Sequence, residues 1–324
     1  MYRTILVPLD GSELAERALP IATALAKPSG ARLMLVRAAW AHVLAGVDPT
    51  DAQVKAVREA EAYLQGVTGR AATQNVRAEA RVPYDTAAEG ILMEVDDSDA
   101  DLVVMCTHGR SGLGRLIYGS VAEEVIRRSP VPVLLVRPTG ADATLRRDGA
   151  TQPKLLVPLD GSARAEAILP AAIDLAEATR GELVLLHVED PSHPDPSSVL
   201  SVPESTGKEP VVRLETYFAG VEERLRRAGL AARTEVRFGS PAGAILAAER
   251  SRGVRLVAMA THGRTDLLEP ITGSVAREVV LEGTLPVLLA RPATLRDDAR
   301  LSSSTEGKWI EGSGDAARPV ERAA

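Results

Sequence analysis

Short apolar runs alternate with longer segments whose apolar residues recur at helical spacing. Runs such as residues 5–9 and 102–104 are typical of strands that are buried on both faces of a sheet. Residues 13–26, after the turn Asp10-Gly11-Ser12, are predicted to form one helix. Strands that alternate with helices in this way predict a parallel sheet with helices on both faces.

This pattern occurs twice. The sequence Leu-Val-Pro-Leu-Asp-Gly-Ser at residues 6–12 returns at 156–162, and Thr-His-Gly-Arg at 107–110 returns at 261–264. A repeat of this length indicates a duplicated domain rather than a solenoid. The predicted strands are residues 4–9, 32–38, 77–82, 101–106 and 131–137, then 154–159, 182–188, 234–238, 255–260 and 286–291. The predicted fold is therefore α/β, with two tandem doubly wound domains, each a five-stranded parallel sheet flanked by helices.

The repeat also predicts the domain boundaries. The first domain is predicted over residues 1–141 and the second over 153–294, with a linker at 142–152. Residues 190–210 are rich in Pro and Ser and are predicted to be an irregular connection. Residues 295–324 contain few apolar side chains, which predicts a disordered tail.

Composition narrows the class of protein. A net charge of −6 gives no reason to expect nucleic acid or an anionic membrane as a partner. Cys106 is the only cysteine, so an intrachain disulfide and multi-cysteine metal sites are excluded. No apolar run has the length of a membrane span and no export signal is visible. We therefore expect a soluble cytoplasmic protein.

The candidate chemistry lies in a glycine-rich loop, residues 105–120, between a predicted strand and a predicted helix. Glycines allow close backbone approach, and the amides at a helix start, with Ser120 as a cap, favour an anion such as phosphate. Such a loop by itself is more often simple turn chemistry. However, Asp10, the end of the second strand and this loop all lie at carboxyl ends of strands, where ligands of parallel sheets bind.

At these residues the chain resembles the universal stress protein family in its tandem two-domain form, over residues 1–138 and 153–292. The family's ATP-binding signature is Gly, two residues, Gly, nine residues, then Gly with Ser or Thr. Gly109 and Gly119-Ser120 match it, and so do Gly263 and Gly273-Ser274. Cys106 and Ala260 replace the first glycine in the two copies.

The resemblance implies an ATP site in each domain, with ATP bound alone or with Mg²⁺. The implied contacts in the first domain are Pro8, Asp10 and Ala38 for adenosine, and Cys106, His108, Gly109, Arg110, Gly119, Ser120 and Val121 around the phosphates. Their counterparts in the second domain are Pro158, Asp160, Val188, Ala260, His262, Gly263, Gly273, Ser274 and Val275. The resemblance also implies pairing through the last strand of each domain, within this chain and between two chains in a homodimer.

Several of these residues have a simpler interpretation. Asp10 and Asp160 are equally suited to holding a turn or capping a helix. His108 and His262 are more often backbone-bonded turn residues than general bases. Cys106 is more often a buried packing residue than a redox sensor. No convincing catalytic pair is visible, so we predict no catalytic residues.

The two glycine loops differ in charge. Arg110 and Arg115 lie in the first loop without an acid, whereas the second has Arg264, Asp266 and Glu269. The second loop also contains a proline, which removes an amide donor. We therefore hypothesise that the first site binds nucleotide more tightly, although residues 239–241 give the second copy the more flexible loop after its third strand.

Three functions remain open. The leading hypothesis is an ATP-binding stress-response regulator with little or no hydrolysis. An ATPase or nucleotidyl-transfer enzyme is the second, but no Walker-type lysine follows the loop and residues 8–12 lack the Ser-Gly-Gly-type turn of such enzymes. The third is an interaction scaffold that binds no nucleotide, which the loss of the first signature glycine keeps open.

Overall fold

The computed structural model describes residues 1–41, 48–107, 119–137, 152–190, 209–261 and 273–292. In the first half the strands are β1 Thr4–Pro8, β2 Arg32–Val36, β3 Ala78–Arg81, β4 Leu102–Cys106 and β5 Val133–Val136. The helices are α1 Glu13–Glu16, α2 Ala18–Ser29, α3 Pro49–Thr73, α4 Ala87–Asp97 and α5 Ser120–Arg128.

The second half repeats this order. Its strands are β6 Lys154–Pro158, β7 Glu182–Glu189, β8 Ala232–Phe238, β9 Val254–Ala260 and β10 Val287–Ala290. Its helices are α6 Ala163–Glu166, α7 Leu169–Thr179, α8 Glu209–Arg227, α9 Pro241–Glu249 and α10 Ser274–Glu282. The predicted linker and tail fall almost entirely outside the described residues, as does most of the predicted irregular connection.

All ten strands form one sheet, in the order β3-β2-β1-β4-β5-β10-β9-β6-β7-β8. Neighbouring strands run parallel within each half, and β5 pairs antiparallel with β10, where Leu134 lies opposite Leu288. The predicted α/β class, with five parallel helix-flanked strands in each half, is confirmed, but the two halves form one continuous sheet. The strand order reverses between β1 and β4 in the first half and between β6 and β9 in the second.

The core has one layer on each face of the sheet. Alternate residues of a strand enter opposite layers: Ile5 and Val7 pack with α2 and α3, whereas Leu6 packs with α4 and α5. The second half is built in the same way, and α2 packs against α7 of the other half. Because both faces of the sheet are covered, the ends of the strands are the places where a ligand can enter.

The prediction of one helix over residues 13–26 is wrong. Helix α1 ends at Glu16 and α2 begins at Ala18. Pro20 lacks the N–H that would bond to the Glu16 carbonyl in a continuous helix, but a proline is tolerated in the first turn of a new one. Pro170 has the same relation to Glu166, where α6 ends and α7 follows.

Within the described residues, no helix has both the length and the apolar character needed to cross a membrane.

Candidate functional site

A cavity of about 480 Å³ lies at the carboxyl ends of β1, β2 and β4, where the strand order of the first half reverses. This volume is within the usual range for small-molecule sites. Sequence-predicted residues that line it are Pro8, Asp10, Ala38, Cys106, Gly119, Ser120 and Val121. The structure therefore brings together seven residues that the sequence analysis singled out, from four separate parts of the chain.

The turn after β1 holds the Asp10 carboxylate in one position. Asp10 Oδ1 accepts hydrogen bonds from the Ser12 amide at 2.8 Å and the Ser12 hydroxyl at 2.6 Å. Ser12 Oγ in turn accepts from the Ala15 amide at 3.1 Å, so Ser12 is the cap of α1. Asp10 thus holds the turn rather than capping the helix, and it also lines the cavity.

The start of α5 forms the opposite wall. The Gly119 amide donates to the Thr107 carbonyl at 3.0 Å, and Gly119 is the extended residue before the helix. Ser120 is the first helical residue, so the expectation that it caps the helix is wrong. The first intrahelical bond runs from the Glu123 amide to the Gly119 carbonyl.

The backbone amides of the three residues that follow Gly119 have no acceptor inside the helix, because the first N–H groups of any helix lack an intrahelical partner. These residues, Ser120, Val121 and Ala122, all line the cavity. Together with the positive end of the helix dipole they form a wall that favours a negatively charged group. The Gly119 amide already donates to the Thr107 carbonyl. Gly119 therefore contributes to the site by directing the backbone into α5.

Among the further cavity residues, three with charged or aromatic side chains were missed by the sequence analysis: Arg37, Trp40 and Glu59. The Arg37 guanidinium lies 5.0 Å from the centre of the Tyr63 ring of α3, a cation–π contact. Glu59 also belongs to α3, a helix that reaches the cavity through tertiary packing. No pattern in the sequence predicts that Glu59 of α3 lines the cavity.

Cys106 ends β4 and is buried, with 7% of its surface exposed, yet it lines the cavity. A small side chain here lets the cavity reach the strand end. Five of the predicted site residues, His108, Gly109, Arg110, His262 and Gly263, lie outside the described residues.

The second half repeats the backbone of the site. Asp160 Oδ1 accepts from the amide and hydroxyl of Ser162, and the Gly273 amide donates to the Thr261 carbonyl at 2.6 Å. Ser274 begins α10, as Ser120 begins α5. The remaining predicted residues occupy the matching places: Pro158 ends β6, Val188 lies in β7, Ala260 ends β9 and Val275 lies in the first turn of α10.

The side chains around the two sites differ. Pro8 pairs with Val36 and Pro158 with Leu186, so His187 has the place of Arg37. His187 is buried, and its Nδ1 lies 3.1 Å from the Leu159 carbonyl oxygen. The first cavity is therefore lined by Arg37, which carries a guanidinium charge, where the second half has an imidazole that is engaged with the backbone.

Comparison with known proteins adds to this geometry. The family model described as "Universal stress protein family" matches residues 1–137 and again 153–291. A universal stress protein of Thermus aquaticus is 36% identical over 137 residues, which are 42% of this chain and the whole of the relative. A protein of Staphylococcus saprophyticus is 34% identical over 142 residues, 42% of this chain and 84% of its own length.

The crystal structure of a universal stress protein from Archaeoglobus fulgidus has the same fold over both halves. It covers 89% of this chain and 98% of its own, with a TM-score of 0.69 and 20% sequence identity. The two matches to the family model together cover both halves of the sheet. The chain belongs to the universal stress protein family, in the form in which two of its domains follow each other in one chain.

Proposed function

We propose that this protein binds ATP, alone or with Mg²⁺, as a regulatory module of the stress response, with little or no hydrolysis. The observation that carries this proposal is the convergence of Asp10, Cys106 and the start of α5 on one cavity at the strand-order reversal. This is the place where open parallel sheets bind nucleotides.

The residues present fit the parts of an adenine nucleotide. The first-turn amides of Ser120, Val121 and Ala122 are suited to phosphate oxygens, since they combine donors that have no acceptor inside the helix with the helix dipole. The fixed Asp10 carboxylate is suited to the hydroxyl groups of a ribose. Ala38, two residues beyond the end of β2, offers a small apolar surface and backbone groups to a base.

We further propose that the first site binds more tightly than the second. The first glycine loop has two arginines and no acid, whereas the second has one arginine and two acids. The cavity wall adds Arg37 to the first site, and His187 stands in its place in the second. Both differences favour a polyanion at the first site.

The wider setting is part of the same proposal. We propose that the protein works in a reducing cytoplasm, which suits a chain with a single cysteine. We also propose that nucleotide occupancy of the sites alters contacts between the two halves or with a second copy of the chain. The half that holds the first site is connected to the half that holds the second by the β5–β10 strand pair at the centre of the sheet. We propose that two such chains associate as a homodimer, which light scattering of the full chain with and without ATP would test.

A scaffold that binds no nucleotide is the second candidate. Cys106 and Ala260 stand where the signature has its first glycine, and the Gly119 amide is bonded to Thr107 rather than open to a ligand. The lost glycine makes a positive φ at the strand end costly. The Gly119–Thr107 bond takes one backbone donor away from a ligand.

The direct test is to denature freshly purified protein and to identify and count the released nucleotide by chromatography and mass spectrometry. About one ATP per chain is expected, because the sites are unequal. About two would contradict the inequality. None, with no rise in melting temperature when ATP and Mg²⁺ are added, would favour the scaffold, since a ligand specific for the native state must stabilise it.

A further inference from the structure

Two exposed aromatic rings are in contact at the edge of the first cavity. The Trp40 and Tyr84 rings have centroids 5.3 Å apart and planes inclined by 35°. Trp40 is 49% exposed and Tyr84 61% exposed, and Trp40 lines the cavity. Aromatic residues make up only 3% of this chain, so two large rings left side by side in water mark a candidate binding surface.

The backbone around Trp40 is held from two sides. Gln53 of α3 accepts from the Ala41 amide at 2.9 Å and donates its own amide to the Ala39 carbonyl, so one side chain fixes both neighbours of Trp40. The Ala39 amide donates to the Pro83 carbonyl at 3.0 Å, which places Tyr84 beside Trp40. These backbone hydrogen bonds hold the two rings in position before any ligand binds, and such preorganisation lowers the entropy cost of binding.

We propose that the Trp40–Tyr84 pair is the stacking surface for the nucleobase of the ligand bound in the first cavity. This inference rests on the proposed function and specifies which side chains recognise the base. A cavity with helix amides on one wall and an exposed indole on its edge suits a ligand with an anionic part and a planar apolar part. Stacking of bases on aromatic side chains supplies affinity for every base and is strongest for large ring systems.

The second half provides a natural contrast. From the strand register, Asp190 corresponds to Trp40, and Phe238 corresponds to Tyr84. Phe238 is 71% exposed, whereas Asp190 brings a carboxylate to the place of the indole. The stacking surface is therefore specific to the first half, and it makes the two sites differ in their preference for a base as well as in charge.

The test uses the full chain with Trp309→Phe, in which Trp40 is the remaining tryptophan. ATP and inorganic tripolyphosphate, which has no base, are titrated by calorimetry and by tryptophan fluorescence. We expect ATP but not tripolyphosphate to quench Trp40. We expect Trp40→Ala to weaken ATP binding about 10-fold, since stacking contributes this much in other proteins, and to leave tripolyphosphate affinity unchanged. Trp40→Phe should retain most of the affinity, and Phe238→Ala is the matched control in the second half.

The outcomes separate the two proposals. If the starting protein binds ATP without quenching of Trp40 and Trp40→Ala binds ATP equally well, the stacking surface is wrong and the ATP site stands. If Trp40→Ala lowers the affinity for ATP and tripolyphosphate by the same factor, Trp40 acts on the cavity as a whole and the inference also fails. If the starting protein binds no ATP, both proposals are overturned.

Discussion

The Tyr63 hydroxyl donates a hydrogen bond of 2.9 Å to Glu16 Oε1, and this bond joins the long helix α3 to the short helix beside the site. Arg70, two turns further along α3, reaches the other carboxylate oxygen of Glu16 at 2.8 Å. Burial and the neighbouring Glu16 carboxylate raise the pKa of Tyr63, so the phenol stays a protonated donor at neutral pH. Since Arg37 lies over the same ring, this cluster also supports the cavity wall.

We predict that Tyr63→Phe and its counterpart in the second half, Tyr217→Phe, differ in effect. Arg224 pairs with Glu166 at 3.0 Å, as Arg70 pairs with Glu16. The Tyr217 hydroxyl is buried and makes no hydrogen bond of good geometry within the described chain, although burial and the nearby Glu166 carboxylate raise its pKa. Tyr63→Phe should lower the free energy of unfolding by about 1–2 kcal/mol, because it removes a bond to a charged acceptor.

Tyr217→Phe should leave the free energy of unfolding unchanged or raise it, because it removes a buried polar atom without a partner. Urea denaturation followed by circular dichroism measures both variants. Equal losses of stability would show that the two hydroxyls are in equivalent surroundings and would contradict the prediction.

The sequence predicted the strands well because buried parallel strands are short, apolar and repeated in both halves. The strand register and the turn at Asp10 then place one side of the site, since parallel strands present their carboxyl ends at the same edge. The break between α1 and α2 was also visible in principle. The missing N–H of Pro20 marks the start of a new helix turn, but the apolar spacing continues through the break.

The wall formed by α3 was not predictable from the same patterns. Glu59 and Gln53 reach the cavity edge through the packing of a helix whose place depends on the whole fold. Trp40 lies outside the signature, and its contact with Tyr84 joins residues far apart in sequence. The bond from the Gly119 amide to Thr107 likewise depends on how the loop closes, which residue types do not determine.

Cys106 gives a chemical measure of occupancy at the first site alone. It is the only cysteine in the chain and lines the first cavity, whereas Ala260 has its place in the second half. We predict that ATP at ten times its dissociation constant slows alkylation of Cys106 about tenfold, since only the empty site reacts.

The matched control for this measurement is the double variant Cys106→Ala and Ala260→Cys, which moves the thiol to the second half. Its protection should require higher ATP concentrations, because the second site is the weaker one. Half-protection of both thiols at the same ATP concentration would contradict the inequality of the sites, and a rate for Cys106 that ATP does not change would contradict binding in the cavity.

The amide at the start of α5 can be removed without breaking the helix. Ser120 is the first helical residue and Gly119 before it is extended, with ψ of 140°, so Ser120→Pro fits both backbone requirements of proline. We predict that Ser120→Pro weakens ATP binding about 10-fold, as expected for the loss of one hydrogen bond to a charged group, while the melting temperature without ligand is unchanged.

Two controls accompany this variant in the same calorimetric titration. Ser120→Ala removes only the hydroxyl and should have the smaller effect. Ser274→Pro makes the same change at α10, where Gly273 is also extended, and should leave the tighter binding event untouched. If Ser120→Pro and Ser120→Ala weaken binding equally, the hydroxyl rather than the amide contacts the phosphate.

Glu249 makes stability depend on pH. Burial raises its pKa above the ordinary value of 4.5, although the Thr284 amide, which donates to Oε2 at 3.1 Å, opposes the shift. Its other oxygen, Oε1, is buried without a hydrogen-bond partner among the residues that the structure describes. A carboxyl group with a raised pKa contributes most below its ordinary pKa, and this contribution is lost as the pH rises through the raised value.

We therefore predict that Glu249→Gln, which keeps an oxygen for Thr284 and cannot ionise, is more stable than the unchanged protein at pH 7, because it buries no charge. The difference should shrink as the pH falls through the raised pKa of Glu249 towards 4.5, the ordinary pKa of this group, and disappear below it, because the carboxyl is then neutral in the native and the unfolded chain alike. Urea denaturation from pH 4 to pH 8 measures it, with Glu282→Gln at an exposed position of α10 as the matched control. Two stability curves that run parallel over this range would show that Glu249 ionises freely in the folded protein.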